Sequence, residues 1–201
     1  AVVASDDAKL PVDLGQGWVF VLKQGESPRR LTDDSINPQT GYPTITYPAE
    51  IMWTPDDHIV FLADAQGESY LSVIPAQGAG IRRIAGGGLQ FGSATFDSTA
   101  RRVAVLTTTP ASPGDIAVIE TATGAQTQLT SYNHAYLDTH PPAHLKKSTI
   151  CRDGVEIESR VWLPPDFDPS EVYPMVLDIH GGPHGVFTDA FNLIQQVLAT
   201  A

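Results

Sequence analysis

Apolar and polar positions alternate in short bursts along the first part of the chain, and the bursts recur. Trp18-Val19-Phe20-Val21-Leu22 predicts a strand, Lys23 to Ser27 a turn built around Gly25, and Pro28-Arg29-Arg30-Leu31-Thr32 a return strand. Two β-rich runs split by a glycine turn are the mark of a β-hairpin. The pattern returns as Tyr70 to Ile74, a turn through Gly78 and Gly80, then Ile81 to Ala85. It returns again as Asp115 to Ile119, a turn through Gly124, then Gln126 to Thr130.

A second unit lies between these hairpins. Ile51 to Leu62 aligns with Ala94 to Leu106: an aromatic (Trp53, Phe96) ends one strand, an Asp-containing turn follows, and an apolar strand runs on. The two aromatics are 43 residues apart, and Leu31, Ile84 and Leu129 are spaced by 53 and 45. Four short strands repeating every ~40–50 residues predict β-propeller blades. Residues 44–86 and 91–131 form two full blades on this reading, preceded by the last two strands of a third. Residues 1–132 are therefore expected to be the C-terminal blades of a β-propeller. A propeller closes with about four to eight blades, so further blades are expected upstream. An irregular β-sandwich is the alternative.

The repeat stops at residues 133–145, where Thr139-His140-Pro141-Pro142 suggests a linker. Lys147 to Cys151, the turn Arg152-Asp153-Gly154, and the alternating run Val155 to Leu163 predict another hairpin, with Glu156 and Glu158 on a solvated face. Pro164-Pro165 ends it. Met175 to Ile179 is then an apolar run broken only by Asp178, which predicts a strand covered on both faces in a parallel sheet. It stops at His180-Gly181-Gly182-Pro183-His184. Two glycines remove the side chains at this turn, so backbone N–H groups can be aimed at a nearby group. Apolar residues at helical spacing from Phe191 to Ala199 predict a helix starting near Asp189 or Ala190.

Composition narrows the function. The 201 residues suffice for one or two domains, and 42% hydrophobic with 17% charged residues fits a soluble globular protein. The net charge of −11 argues against a nucleic-acid partner, which needs clustered Lys and Arg. The pairs Arg29-Arg30, Arg82-Arg83 and Arg101-Arg102 each flank a strand-like run and are expected to be solvated strand ends. Cys151 is the single cysteine, so no intrachain disulfide forms and a reducing, cytoplasmic setting is expected. Cys151 itself suits a small buried hydrophobe better than a nucleophile. No apolar run approaches the ~18 residues of a membrane span, and Ala1-Val2-Val3-Ala4 is too short for a signal-peptide core. With no initiator Met, the chain is expected to start inside a longer one. His134, His140 and His144 lie in the linker without metal-ligand spacing, so no metal and no cofactor is expected.

Taken in order, the blades, the linker, the Asp-Gly hairpin, the Pro-Pro stop and Tyr173-Pro174-Met175-Val176-Leu177-Asp178-Ile179-His180-Gly181-Gly182-Pro183-His184-Gly185 resemble the prolyl oligopeptidase family of serine peptidases. The likeness is strongest to its acylaminoacyl-peptidase and dipeptidyl-peptidase-like branch. It covers roughly residues 17–201 and is firmest over 146–201. The resemblance implies that the propeller is followed by the N-terminal part of an α/β-hydrolase domain, residues 146–201. It also implies a Ser-Asp-His triad, a propeller that screens out large folded substrates, and short peptides as substrate.

One departure is decisive. The nucleophile elbow Gly-x-Ser-x-Gly does not occur; Gly67-Glu68-Ser69-Tyr70-Leu71 lacks the second glycine and falls in a propeller hairpin. The resemblance therefore puts all three triad residues outside this chain, which by itself is expected to be inactive. It also implies that one oxyanion-hole donor comes from the Gly181-Gly182 loop, with Gly182 preferred. His180 is expected to order the turn and not to act as base, with Pro183 shaping the loop and His184 at the substrate entrance or its rim. Asp178 and Asp189 are candidates for loop-bracing hydrogen bonds. The implied partners are a short peptide and the remainder of the same enzyme; a homo-oligomer is left open, and no nucleic acid or membrane is expected. Two other functions stay open: a propeller-linked esterase and a non-catalytic propeller interaction module.

Overall fold

In Ile59-Val60-Phe61-Leu62-Ala63 every position is apolar, so a strand made from it needs cover on both faces. The computed structural model, which describes residues 1–4, 16–39, 51–181 and 186–201, gives it that cover. The first sheet has the order β1 (Val2–Ala4), β2 (Trp18–Val21), β3 (Arg29–Arg30). The second contains β4 (Asn37–Pro38), β5 (Ile51–Trp53), β6 (His58–Ala65), β7 (Glu68–Pro75) and β8 (Arg82–Gly86). Here β4 and β5 lie end to end along one edge of β6, pairing at Ala63–Asp64 and at Ile59–Phe61 respectively. The third is a four-stranded antiparallel meander of β9 (Gln90–Phe96), β10 (Arg102–Thr109), β11 (Ser112–Glu120) and β12 (Gln126–Gln128).

The side-chain alternation of β6 divides two cores. Ile59, Phe61 and Ala63 pack with Val19, Ile36 and Ile74 toward the first sheet. Val60 and Leu62 pack with Leu71, Val73, Phe91, Val103, Val105, Ala117 and Ile119 toward the third. Polar contacts fix the spacing of the sheets. Arg29, exposed as expected of a strand end, donates from Nη1 to Gln77 O at 2.6 Å and from Nη2 to Ala76 O at 2.5 Å, so it also bridges the first two sheets. At Gly124, in the β11–β12 turn, a Cβ would fall 2.2 Å from Ile84 O of β8, so the turn approaches the second sheet as only glycine permits.

After the short helix α1 (His134–Leu137), β13 (His144–Arg152) and β14 (Val155–Leu163) form a two-stranded hairpin in nine-residue register. Its tip is bare: Cys151 is exposed, and so are Ile150, Val155 and Ile157. The expectation of a buried Cys151 is therefore corrected, because alternation assigns a residue to a face but does not supply cover for that face. The expected buried strand at Met175–Ile179 is also corrected. The segment belongs to no strand, and Met175 and Ile179 are 85% and 78% exposed. A strand exists through its ladder, and β13 and β14 are paired to each other over all nine positions. The last element is α2 (Leu193–Thr200), which starts slightly later than the periodicity suggests because Asn192 caps it, accepting from the N–H groups of Ile194 and Gln195.

Leu62→Ala is expected to destabilise the fold by about 2–5 kcal/mol, since the fully buried side chain fills the core between the second and third sheets. Leu106→Ala, on an exposed position of β10, is expected to stay within about 0.5 kcal/mol. Urea unfolding of both variants checks the pair, and equal losses would contradict the two-core arrangement.

Candidate functional site

The turn Asp153-Gly154 sets the hairpin register so that Lys147 of β13 stands directly opposite Arg160 of β14. Two cations in that position repel unless anions come between or beside them. Asp189 supplies the carboxylate. It is 2% exposed; Oδ2 lies 2.5 Å from Lys147 Nζ and Oδ1 lies 3.3 Å from Arg160 Nη2. Lys147 also reaches Glu68 at 2.9 Å, and Arg160 reaches Glu158 at 2.7 Å. Glu158 lies on an exposed face as expected, and from there it also pairs with Arg160, whose side chain is only 5% exposed.

Backbone contacts join the cluster to the second sheet. Arg160 Nη1 donates to Phe187 O, and Asp189 N donates to Gly67 O at 2.8 Å. Gly67 has φ of +76°, and a Cβ there would lie 2.6 Å from Arg160 Nη2 and 2.7 Å from Phe187 O. The β6–β7 turn can meet the hairpin and residues 187–189 only as glycine. Helix α2 is held close by: Phe191 N donates to Thr108 Oγ1 at 3.0 Å, and Gln196, buried, accepts from Ala143 N at 2.7 Å and donates to Pro110 O at 2.9 Å. A shallow cavity opens beside the cluster, lined by Gln66, Glu68, Lys147, Ser148, Thr149 and Glu158.

Glu68 and Lys147 hold their charges. The Tyr70 hydroxyl, donating at 2.6 Å, and then the Lys147 ammonium hold the Glu68 carboxyl down at about 2. Burial pulls Lys147 down, but its hydrogen bonds to Asp189 and Glu68 outweigh that and leave it raised.

Of the residues singled out from sequence, the structure brings His180 and Gly181 into this neighbourhood. His180 Nδ1 lies 2.9 Å from Gly181 O, and its ring meets the ring of Phe187 edge-on at 5.5 Å. No atom would crowd a Cβ at Gly181. Gly182, Pro183 and His184 lie outside the described residues. Asp178 accepts a long 3.4 Å contact from Gln195, whereas Asp189 is the centre of the charge cluster. His134 sits 3.7 Å from Asp115 and His140 stacks on Tyr136. Among the described residues, no group of three His, Cys, Asp or Glu is placed to hold a metal, and no helix is long and apolar enough to cross a membrane.

Ser69, the nearest approach to a nucleophile elbow, is fully buried in a polar network. Its Oγ lies 2.5 Å from Asp64 Oδ1, 2.8 Å from Gln90 Oε1 and 3.0 Å from Gln39 Nε2. Burial raises the Asp64 carboxyl, against the opposing hydrogen bonds from Ser69 and Gln39. This is a structural core polar group with no histidine among those partners. The sequence reading missed Lys147, Arg160 and Glu68. A usable signal existed for the first two, which lie at mirrored distances from the Asp153-Gly154 turn.

Comparison with known proteins adds the kinship. No family model matches the chain. It is 32% identical over 155 residues to dipeptidyl-peptidase 5 of Porphyromonas gingivalis, a match covering 75% of this chain and 22% of that protein. Among solved structures it resembles the acylaminoacyl peptidase of Pyrococcus horikoshii, with a TM-score of 0.71 and 19% identity over 92% of this chain and 26% of that one. It also resembles dipeptidyl peptidase 4 of Porphyromonas gingivalis, with a TM-score of 0.67 and 16% identity over 98% of this chain and 27% of that one. These structural likenesses concern the fold, and the mostly β architecture is consistent with a propeller portion. The chain spans about a quarter of the length of the proteins it matches.

The Glu68 carboxyl is lowered on folding from 4.5 to about 2, so its contribution to stability is complete above pH 4.5 and is lost as pH falls from there toward 2. Urea unfolding of wild type and Glu68→Gln from pH 7 to pH 2.5 should show a stability gap that is constant at the upper end and closes below about pH 4.5. A gap independent of pH would mean that the Tyr70–Glu68–Lys147 contacts do not hold the charge.

Proposed function

We propose, from the kinship of this chain with the prolyl oligopeptidase family of peptidases, that it forms part of a serine peptidase acting on short peptides. The match to dipeptidyl-peptidase 5 over 155 residues is the observation that carries the reading. In this reading the first three sheets are propeller blades, and residues 146–201 open an α/β-hydrolase domain. The loop at Gly181-Gly182 contributes one backbone donor of the oxyanion hole. The serine, aspartate and histidine of the triad come from the remainder of the enzyme.

The chemistry divides accordingly. A serine hydroxyl activated by histidine attacks the peptide carbonyl, the amine leaves, and water releases the acyl-enzyme. Negative charge collects on the carbonyl oxygen in each tetrahedral stage. A glycine N–H already aimed at that oxygen stabilises it more than it stabilises the flat ground-state carbonyl, and loss of one such donor typically costs about 2.7–4 kcal/mol. Two features support a covering partner from the same enzyme. Met175, Val176, Leu177 and Ile179 form an exposed apolar run, and Leu193, Ile194, Val197 and Leu198 are exposed on α2.

The test uses the full-length protein. Labelling with a serine-reactive fluorophosphonate and faster turnover of acylaminoacyl or dipeptidyl amides than of simple esters is the expected result. Labelling with preference for simple esters would replace the peptidase by an esterase. An absence of labelling would leave a non-catalytic interaction module.

A further inference from the structure

We infer that Asp189 is a positioning residue for the His180-Gly181 turn, acting through the Arg160–Phe187 contact; the inference rests on the oxyanion role proposed for that loop. The geometry forms one continuous path. Asp189 is clamped between the cross-strand cations Lys147 and Arg160. Arg160 in turn donates to Phe187 O, and the Phe187 ring meets the edge of His180, whose Nδ1 contacts Gly181 O. Asp189 N is tied independently to Gly67 O at 2.8 Å. Residues 187–189 are therefore fixed to two strands of the hairpin and to the β6–β7 turn.

Within this chain the upstream side of the turn is fixed less, its side-chain contact to α2 being the long one from Gln195 to Asp178. Met175 to Ile179 belong to no strand and are exposed. Within this chain the described link from the turn to the scaffold is the contact of the His180 ring with Phe187. Fixing a backbone donor to rigid strands keeps it aimed without reorganisation when charge develops, which is the condition for oxyanion stabilisation.

Asp189 is also separable from simple stability. Without its carboxylate, Lys147 keeps Glu68 and Arg160 keeps Glu158. Two cations then face two carboxylates, so neither cation is left without a counter-charge. What Asp189→Asn removes is the carboxylate that holds Lys147 and Arg160 together behind the Arg160–Phe187 contact.

The experiment compares wild type, Asp189→Asn and Asp189→Glu in the full-length enzyme. It reads kcat and KM on a dipeptidyl or acylaminoacyl amide and amide hydrogen exchange over residues 180–191. For Asp189→Asn, kcat should fall by about 10- to 100-fold with KM within about twofold, as expected when a catalytic group is displaced by about 1 Å. Exchange over 180–191 should quicken while that of β9–β12 stays as in wild type. Asp189→Glu, which keeps the charge, should recover most of the kcat. A folded Asp189→Asn enzyme with wild-type kcat would overturn the inference, as would a kcat loss with unchanged exchange at 180–191. If wild type neither labels with fluorophosphonate nor turns over, the peptidase reading falls by itself. The positioning role is then judged by exchange, and unchanged exchange at 180–191 overturns it.

Discussion

A hairpin that places two cations opposite each other on one face cannot stand without anions. The Asp153-Gly154 turn imposes this on Lys147 and Arg160, and the near-complete burial of the Arg160 side chain makes the demand strict. Three carboxylates meet it, from three places: Glu68 at the start of β7, Glu158 within β14, and Asp189 just ahead of α2. The charge requirement thus gathers the β6–β7 turn, the hairpin and the segment before the last helix at one point. Gly67 makes the approach sterically feasible. Gln196 then satisfies the N–H of Ala143 and the carbonyl of Pro110, so α2 docks where its polar residue is needed.

Much of the β architecture is legible because its causes are local. Period-two alternation and glycine turns mark β2–β3, β7–β8, β11–β12 and β13–β14, and the structure contains each of these hairpins. The unbroken apolar run of β6 foretells a strand buried on both faces, and its odd and even residues do fill two different cores. What depends on partners far away in sequence is not legible. β4 is two residues, Asn37 and Pro38, with no alternation of its own, and it exists because β6 has an edge left over beside β5. The exposure of Cys151 has a related reason, since alternation says which face a side chain takes and not what covers that face.

The candidate site divides the same way. His180 and Gly181 stand out by motif, because a strand-like run ending in glycines is a local signal. Lys147 and Arg160 could have been paired from the turn alone. Asp189 could not, since 42 residues separate it from Lys147 and nothing in the intervening pattern points back to the hairpin. Burial of a single aspartate is decided by where its counter-charges stand, and those are set by tertiary contact.

Two serine- or glycine-bearing turns compete for chemical meaning in this chain, and their surroundings decide between them. Ser69 is buried, and its hydroxyl is committed to Asp64, Gln90 and Gln39. A hydroxyl so enclosed joins strands and has no open side from which to attack a carbonyl. Gly181 is the reverse: no atom would crowd a Cβ there, the apolar run before it is exposed, and Phe187 behind it is bound to Arg160. One side of the turn is bound to the scaffold and the other is exposed. A backbone donor in that position gains its direction from the bound side, and it gains a low-dielectric surrounding, in which its dipole counts most, only when the exposed run is covered. On the oxyanion role proposed for this loop, covering Met175 to Ile179 would also exclude water from the donor, coupling assembly to the chemistry.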